Sequence, residues 1–147
     1  MEANDIKNMI PIEYQPFFKI ISKPLISDAE KVADSFIKAI KIFAPNVRLV
    51  IPHVVFIGWT PFKCEIDAFE MEFRPKENVI NFVAGDYVFI DASKIYSLPE
   101  ELQIASIIEE LVHAYMNVAN EDLTKLIVCD IYDRVSFVDG RYVIVSR

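Results

Sequence analysis

Three residues in the last third of the chain have the types and spacing that suit binding of a divalent metal ion. Between Ile107 and Ala114, Glu109 and His113 are four positions apart, and Glu110 directly follows Glu109. Residues i and i+4 lie on one face of an α-helix, so a carboxylate and an imidazole at this spacing can bind one ion. A glutamate beside the first ligand can act on a water molecule as a general base.

This segment resembles the motif helix of the zincin metalloprotease superfamily, which has the pattern H-E-x-x-H. The pattern here is E-E-x-x-H, so Glu109 occupies the position of the first histidine. The apolar residues before the motif and the His-Ala-Tyr sequence within and after it are also similar. The resemblance implies that His113 is a metal ligand, that Glu110 is the general base, and that a further helix supplies a third ligand.

The sequence offers several candidates for the third ligand. The metzincin branch would have glycine and histidine where this chain has Met116 and Ala119, so that branch does not fit. A branch with a downstream acidic ligand leaves four candidates: Glu121, Asp122, Asp130 and Asp133. Asp130 is the most suggestive, because it interrupts the apolar face expected for its helix. We take Glu121 or Asp130 as the residue that completes the metal site.

The expected cofactor is zinc or another divalent metal ion. Zinc accepts a mixed set of glutamate, histidine and aspartate ligands. Two carboxylates in the set suit manganese or iron equally, because both ions accept oxygen ligands. His53, the other histidine of the chain, can either donate a ligand from a neighbouring strand or have a structural role.

Two alternatives explain the same residues without this site. Glu109 and His113 can form a surface pair one helical turn apart, which needs no metal. The buried stripe of the helix then consists of Ile104, Ile108, Leu111, Tyr115 and Val118. The E-x-x-H of Glu110 to His113 is also one part of a di-iron site. That site requires a second copy of the motif on a four-helix bundle, and this chain has one copy and too many predicted strands.

The charge and composition of the chain limit the partners it can bind. The 147 residues are 53% hydrophobic and have a formal net charge of −7. Residues 60–147 contain eight Lys and Arg against sixteen Asp and Glu. This acidic balance disfavours nucleic acids and anionic membranes. A protein partner or a second copy of the chain remains, and the apolar content favours an interface of this kind.

We expect one cytoplasmic domain that spans residues 1–147. The length suits a single core, and no apolar run approaches the ~20 residues of a membrane span. The acidic N-terminus lacks the features of a signal peptide. Cys64 and Cys129 have no metal-ligand spacing, so buried reduced thiols are expected, although a disulfide between them remains open.

The elements predicted before the motif are one helix and several strands. A capping box at Ser27–Glu30 begins a helix that ends near Phe43, and a further short helix can lie between Pro16 and Pro24. Pro52 restricts the strand 47–57 to a sheet edge or a bulge. The alternation in 62–74 shifts by one residue at Ala68 and Phe69, which predicts a bulge. Two more strands follow, at 79–82 and 87–90.

The elements predicted from residue 97 onward are two helices and a hairpin. A second capping box, Ser97–Glu100, begins the motif helix, which runs to about Val118. Asn120 caps the next helix, whose expected apolar face consists of Leu123, Leu126, Ile127 and Ile131. Asp139 and Gly140 predict a hairpin turn between the strands 135–138 and 142–145.

This order predicts an α+β fold in which a mainly antiparallel sheet packs on helices. From about residue 28 to 134 it is similar to the order of small zincins, which is a helix, a β-meander, the motif helix and a further helix. The C-terminal hairpin has no counterpart there. Because the first histidine is missing, we expect a zincin-like domain without peptidase activity that binds a protein or oligomerises. The alternative is an active metal-dependent hydrolase, a peptidase with Glu110 as general base.

Overall fold

Eight strands and five α-helices form an α+β fold in the computed structural model, which describes residues 1–146. The helices are α1 (Ala3–Met9), α2 (Asp28–Phe43), α3 (Ala92–Ile95), α4 (Glu100–Tyr115) and α5 (Glu121–Ile131). The strands are β1 (Phe18–Ile21), β2 (His53–Gly58), β3 (Phe62–Ile66), β4 (Phe69–Phe73), β5 (Phe82–Ala84), β6 (Tyr87–Asp91), β7 (Val135–Val138) and β8 (Arg141–Ile144). The prediction of an α+β class is therefore confirmed.

The central sheet has the strand order β1-β2-β6-β5. The pairs β1–β2 and β2–β6 are parallel, whereas β5–β6 and the hairpins β3–β4 and β7–β8 are antiparallel. Antiparallel pairs are thus the majority, as expected, but the central sheet itself is mixed. The pair β1–β2 is parallel because α2 forms the crossover connection between the two strands, whereas the connection from β2 to β6 contains the β3–β4 hairpin and β5.

The strand β2 lies in the interior of the sheet, so the expectation that Pro52 would place it at an edge is wrong. The strand begins at His53, one residue after the proline, and no hydrogen bond of the ladder is lost. Its residues Val55, Phe56 and Ile57 are fully buried. The expectation of a helix between residues 16 and 24 is also wrong, because this segment contains β1.

Residues 62–74 form a hairpin and not one bulged strand. A two-residue turn at Asp67 and Ala68 separates β3 from β4, and Asp67 adopts a φ of 50°. The backbones of Ile66 and Phe69 pair directly across this turn. Paired residues face the same side of a hairpin, and Cys64 pairs with Met71, an odd number of positions away, so a tight turn produces the same shift in alternation as a bulge.

Helices cover one face of the central sheet, and the β3–β4 hairpin covers the other. The first face packs against α2 and α4, whose apolar residues form the main core with alternate residues of β2 and β6. The second face contains a smaller cluster of Phe56, Phe73 and Phe89, in which the rings of Phe73 and Phe89 stack at 4.3 Å. The helix α4 is therefore packed between the sheet, α2 and α5.

The predicted starts of α2 and α5 are confirmed, and the predicted start of α4 is wrong. Asn120 caps α5, and its side chain accepts a hydrogen bond from the backbone N–H of Leu123. Ser27 is the N-cap residue of α2, but the capping box does not form: Ser27 has a φ of 53° and no side-chain cap hydrogen bond, and Glu30 accepts a hydrogen bond from the amino terminus. The N-cap of α4 is Pro99, one residue before Glu100.

The buried side of α5 differs in part from the expected one. Thr124 and Val128 are buried, whereas Leu123 and Leu126 are 49% and 64% exposed. The helix packs on α4 and β7 through the first pair. Ile127 and Ile131 are half-buried and pack against the main core, so the expected apolar face is confirmed for these two residues and wrong for Leu123 and Leu126.

The C-terminal hairpin forms as predicted. Asp139 and Gly140 have φ values of 51° and 79°, as a type I′ turn requires. Cys64 and Cys129 are both free thiols and only partly buried. None of the helices in residues 1–146 combines the length and the apolar character that a membrane crossing requires.

Candidate metal centre

Glu109, His113 and Glu121 converge at the junction of α4 and α5. One ligand atom from each residue lies within 4.8 Å of the others. The two residues of α4 are one helical turn apart, and the loop 116–120 reverses the chain so that the first residue of α5 faces them. Asn117 in this loop adopts a φ of 54°, and the cap at Asn120 sets the direction of α5. Such a group could hold a metal ion.

A backbone carbonyl fixes the orientation of His113. The Nδ1 atom lies 2.6 Å from the carbonyl oxygen of Val118, which can only accept a hydrogen bond. The Nδ1 atom therefore donates, and in the neutral imidazole Nε2 has a free lone pair. The Nε2 atom lies 3.4 Å from the carboxylate Oε1 of Glu121. Two acceptors at this distance require a proton or a cation between them, and a His with this second hydrogen bond is typical of a metal ligand.

Tyr142 fixes the carboxylate of Glu109. Its hydroxyl group donates a hydrogen bond to Oε2 of Glu109 at 2.5 Å. Burial raises the pKa of Tyr142 above its ordinary value, and the hydrogen bond with Glu109 raises it further, so the phenol retains its proton. The other oxygen of Glu109, Oε1, lies 3.4 Å from the Nζ atom of Lys125. The C-terminal hairpin, which has no counterpart in the resemblance, therefore contributes directly to this site.

Lys125 neutralises the two carboxylates. Its Nζ atom lies 3.4 Å from Glu109 and 3.2 Å from Glu121, and its side chain is 19% exposed. Burial acts to lower the pKa of Lys125, but the two carboxylates outweigh this effect and raise it. The same side chain also lies over the ring of Phe137, at 5.7 Å from its centroid. A divalent ion bound by both carboxylates would replace the ammonium group as their countercharge.

Glu110 is a buried carboxyl group without a partner. It is 8% exposed, and it forms no hydrogen bond or ion pair within residues 1–146. Burial raises the pKa of Glu110 to about 8, and the nearby carboxylates of Glu109 and Glu121 contribute to the increase, although Lys125 opposes it. A carboxyl group with this pKa holds a proton near neutral pH. Perturbed carboxyl groups of this kind occur most often at functional sites.

All these groups line one cavity of about 880 Å³. Its walls come from α4, from residues 78–83 around β5, from the start of α5 and from β8. They are mainly apolar, with three asparagine residues and the charged groups described above. Two polar residues of α4, Gln103 and Glu110, are buried, and Ser106 accepts a hydrogen bond from Asn81.

The structure does not bring the other candidate ligands to this group. Asp130 is exposed, and it lies nine residues after Glu121, which places it on the opposite side of α5 at 100° per residue. Asp122 and Asp133 are also outside the group. His53 is buried beside the ring of Tyr115, with the centroids 4.5 Å apart, and its Nδ1 atom has no hydrogen-bond partner in the described part of the chain.

Sequence reasoning missed Lys125 and Tyr142. Lys125 had a detectable signal, because it lies four residues after Glu121 on the same helix, where oppositely charged residues pair. Tyr142 had none, because its contact with Glu109 depends on how the hairpin packs against α4. No protein-family model matches this chain, and comparisons with curated proteins and with solved structures find no match. The likeness to zincins therefore rests on the motif and on the Glu/His/Glu group.

Proposed function

We propose that this chain is a divalent-metal-binding domain whose site is that of a metal-dependent hydrolase. The observation that supports this most directly is the geometry of His113, whose Nε2 lone pair faces the carboxylate of Glu121. A metal cation between these two acceptors explains this arrangement; the alternative is a second proton on the imidazole, which would make the contact an ion pair. Glu109 completes the set from the same helix. The mixed set suits zinc, and its two carboxylates also suit manganese or iron.

Each residue of the site has a defined role in this proposal. Glu109, His113 and Glu121 hold the ion, while Tyr142 and the Val118 carbonyl orient two of these ligands. A divalent ion bound there would supply Lewis-acid polarisation of a substrate carbonyl. Glu110 lies directly beside the ligands and is not one of them, so its carboxyl group is available to hold or move a proton in the cavity.

A second candidate is a non-catalytic module that binds a protein or forms an oligomer. The observation that favours it is the pair of exposed leucine residues on α5, Leu123 and Leu126, which are three positions apart. This candidate is compatible with a bound metal ion that has a purely structural role. It differs from the first in requiring no proton transfer by Glu110.

Metal titration of two neighbouring variants tests the proposal. Metal-free wild-type protein is expected to bind one equivalent of Zn²⁺ or Mn²⁺ in calorimetry. Glu121→Ala should weaken this binding by more than about 10-fold, since even loss of a supporting group costs 10–100-fold. Asp122→Ala removes the adjacent acidic residue of the same first turn and should leave the affinity unchanged. Equal affinities for both variants, or no binding by the wild type, would contradict the proposal.

Tyr142→Phe tests whether the hairpin belongs to the site. The substitution removes one hydroxyl group, so Glu109 keeps its position but loses the hydrogen bond that orients it. We expect metal affinity to fall by about 10-fold, as is usual for groups that orient a ligand. Tyr132→Phe is the matched control, because Tyr132 is buried but lies outside the cavity. An equal loss of metal affinity in both variants would contradict a role of Tyr142 in the site, because it would indicate a general effect on the fold.

A further inference from the structure

We infer that Arg141 makes the cavity selective for substrates that have a carboxylate group beside an apolar body. This inference deepens the proposed function by naming a substrate class for the same site. Arg141 is the first residue of β8, it is exposed, and it lines the cavity that contains Glu109, His113 and Glu121. The next residue of the chain, Tyr142, donates a hydrogen bond to Glu109 and so connects β8 to the site.

The guanidinium group of Arg141 is not committed to an internal partner. It forms no ion pair or side-chain hydrogen bond within the part of the chain that the structure describes. Arg74 and Arg134, in contrast, pair with Glu72 and Glu101. An unpaired guanidinium at a cavity wall can bind a carboxylate through two parallel hydrogen bonds.

The charges in the cavity point to the same substrate class. Lys125 is shared between the carboxylates of Glu109 and Glu121, so Arg141 is the lining cation without a countercharge. A divalent ion bound by these carboxylates would release Lys125 and make the site more positive. An anionic group on the substrate is therefore favoured both before and after the ion binds.

The remaining walls indicate what the rest of the substrate is. The uncharged residues that line the cavity include six apolar ones: Val79, Ile80, Phe82, Val83, Leu98 and Leu102. Asn78 and Asn117 add amide groups that can bind a peptide-like bond. A short acylated amino acid, with one carboxylate, one amide and an apolar side chain, fits this combination and the volume of about 880 Å³.

The test compares N-acetyl-L-phenylalanine with N-acetyl-L-phenylalaninamide, which share the same acylated body and end in a carboxylate and an uncharged carboxamide, respectively. We expect metal-free wild-type protein to bind the acid at least about 5-fold more tightly than the amide, as measured by NMR titration. Arg141→Gln should remove this preference. Arg48→Gln removes another exposed arginine, one that does not line the cavity, and should retain it.

A repeat with Zn²⁺ separates this inference from the proposed function. Failure of the metal proposal would appear as absent Zn²⁺ binding while the metal-free preference for the acid persists. Equal binding of acid and amide by the wild type, or no binding of the acid, would overturn the role of Arg141. A preference that survives in Arg141→Gln would do the same, because the carboxylate would then be bound by another group.

Discussion

Glu110→Gln is expected to make the protein more stable than the wild type, and the gain should increase as the pH rises from about 4.5 to about 8. The buried carboxyl group of Glu110 has no hydrogen-bond partner, and burial together with Glu109 and Glu121 raises its pKa from 4.5 to about 8. Glutamine has nearly the same shape but cannot ionise. The folded wild type must either keep Glu110 protonated above its ordinary pKa or ionise it in a buried position, and both cost free energy. The substitution removes this cost.

The sign follows from the protons bound in each state. Between pH 4.5 and about 8 the unfolded chain has released the Glu110 proton, while the folded chain still holds it. Stability therefore decreases as the pH rises through this window and is not affected by this group below pH 4.5. The pKa shift of Glu110 corresponds to a difference of about 2–4 kcal/mol in the free energy of unfolding between wild type and variant at the alkaline end of this pH window. This range allows for water in the cavity, which reduces the full effect.

Urea unfolding of metal-free protein at pH 5, 7 and 9 measures this difference. The two proteins should have similar free energies of unfolding at pH 5, and the variant should be more stable at pH 9. Glu13→Gln, which replaces an exposed glutamate, is the control for loss of a carboxyl group in general. A difference between Glu110→Gln and wild type that stays constant with pH would show that Glu110 ionises as readily in the folded as in the unfolded chain.

The same substitution separates the two proposed functions. Under the hydrolase proposal, Glu110→Gln retains metal binding but loses activity, because an amide cannot transfer a proton. Under the binding-module proposal, the more stable variant keeps every function of the wild type. Catalytic sites often contain buried ionisable groups that make the folded protein less stable but are needed for activity.

The sequence was sufficient to predict the helical part of the site. The spacing of Glu109 and His113 depends only on local helix geometry, which tertiary contacts do not change. Asn120 also acts locally, and its cap placed Glu121 at the start of α5 as predicted. Asp130 could not be excluded by sequence alone, because the apolar pattern of α5 predicted a different buried face.

The parts that sequence reasoning could not reach depend on long-range packing. The sequence predicts a sheet edge or a bulge for the strand 47–57 because Pro52 cannot donate a hydrogen bond, but β2 begins after this residue and pairs on both sides. The partial burial of Glu109 depends on Tyr142, which is 33 residues away. Neither the mixed central sheet nor the contact between the hairpin and α4 leaves a periodic signal in the sequence.

Lys125→Met is expected to lower the stability of the metal-free protein and to increase its affinity for Zn²⁺. In the wild type the ammonium group of Lys125 lies 3.4 Å from Glu109 and 3.2 Å from Glu121, so an incoming ion must displace it. Methionine retains most of the apolar chain that packs near Phe137 but has no charge. Without the competing ammonium group, the affinity for Zn²⁺ should increase by at least about 10-fold, which corresponds to 1.4 kcal/mol.

In the absence of metal, the same substitution is expected to destabilise the protein. Glu109 is 17% exposed, and the loss of Lys125 leaves its carboxylate with Tyr142 as its remaining hydrogen-bond partner in residues 1–146. We expect the free energy of unfolding to decrease by about 1–2 kcal/mol, between the values for exposed and fully buried ion pairs. Lys31→Met removes an exposed lysine that pairs with Asp28, and this control should change stability by less than about 0.5 kcal/mol.

Thermal unfolding with and without Zn²⁺ distinguishes a metal site from an ion-pair network. Binding to the folded state alone raises stability in proportion to the logarithm of the free ion concentration divided by Kd. Zn²⁺ should therefore raise the Tm of Lys125→Met more than that of the wild type, and it should offset the loss caused by the substitution. If Zn²⁺ leaves the Tm of Lys125→Met unchanged, the carboxylates of Glu109 and Glu121 exist to bind Lys125, and α4 and α5 are joined by an internal ion pair without any metal.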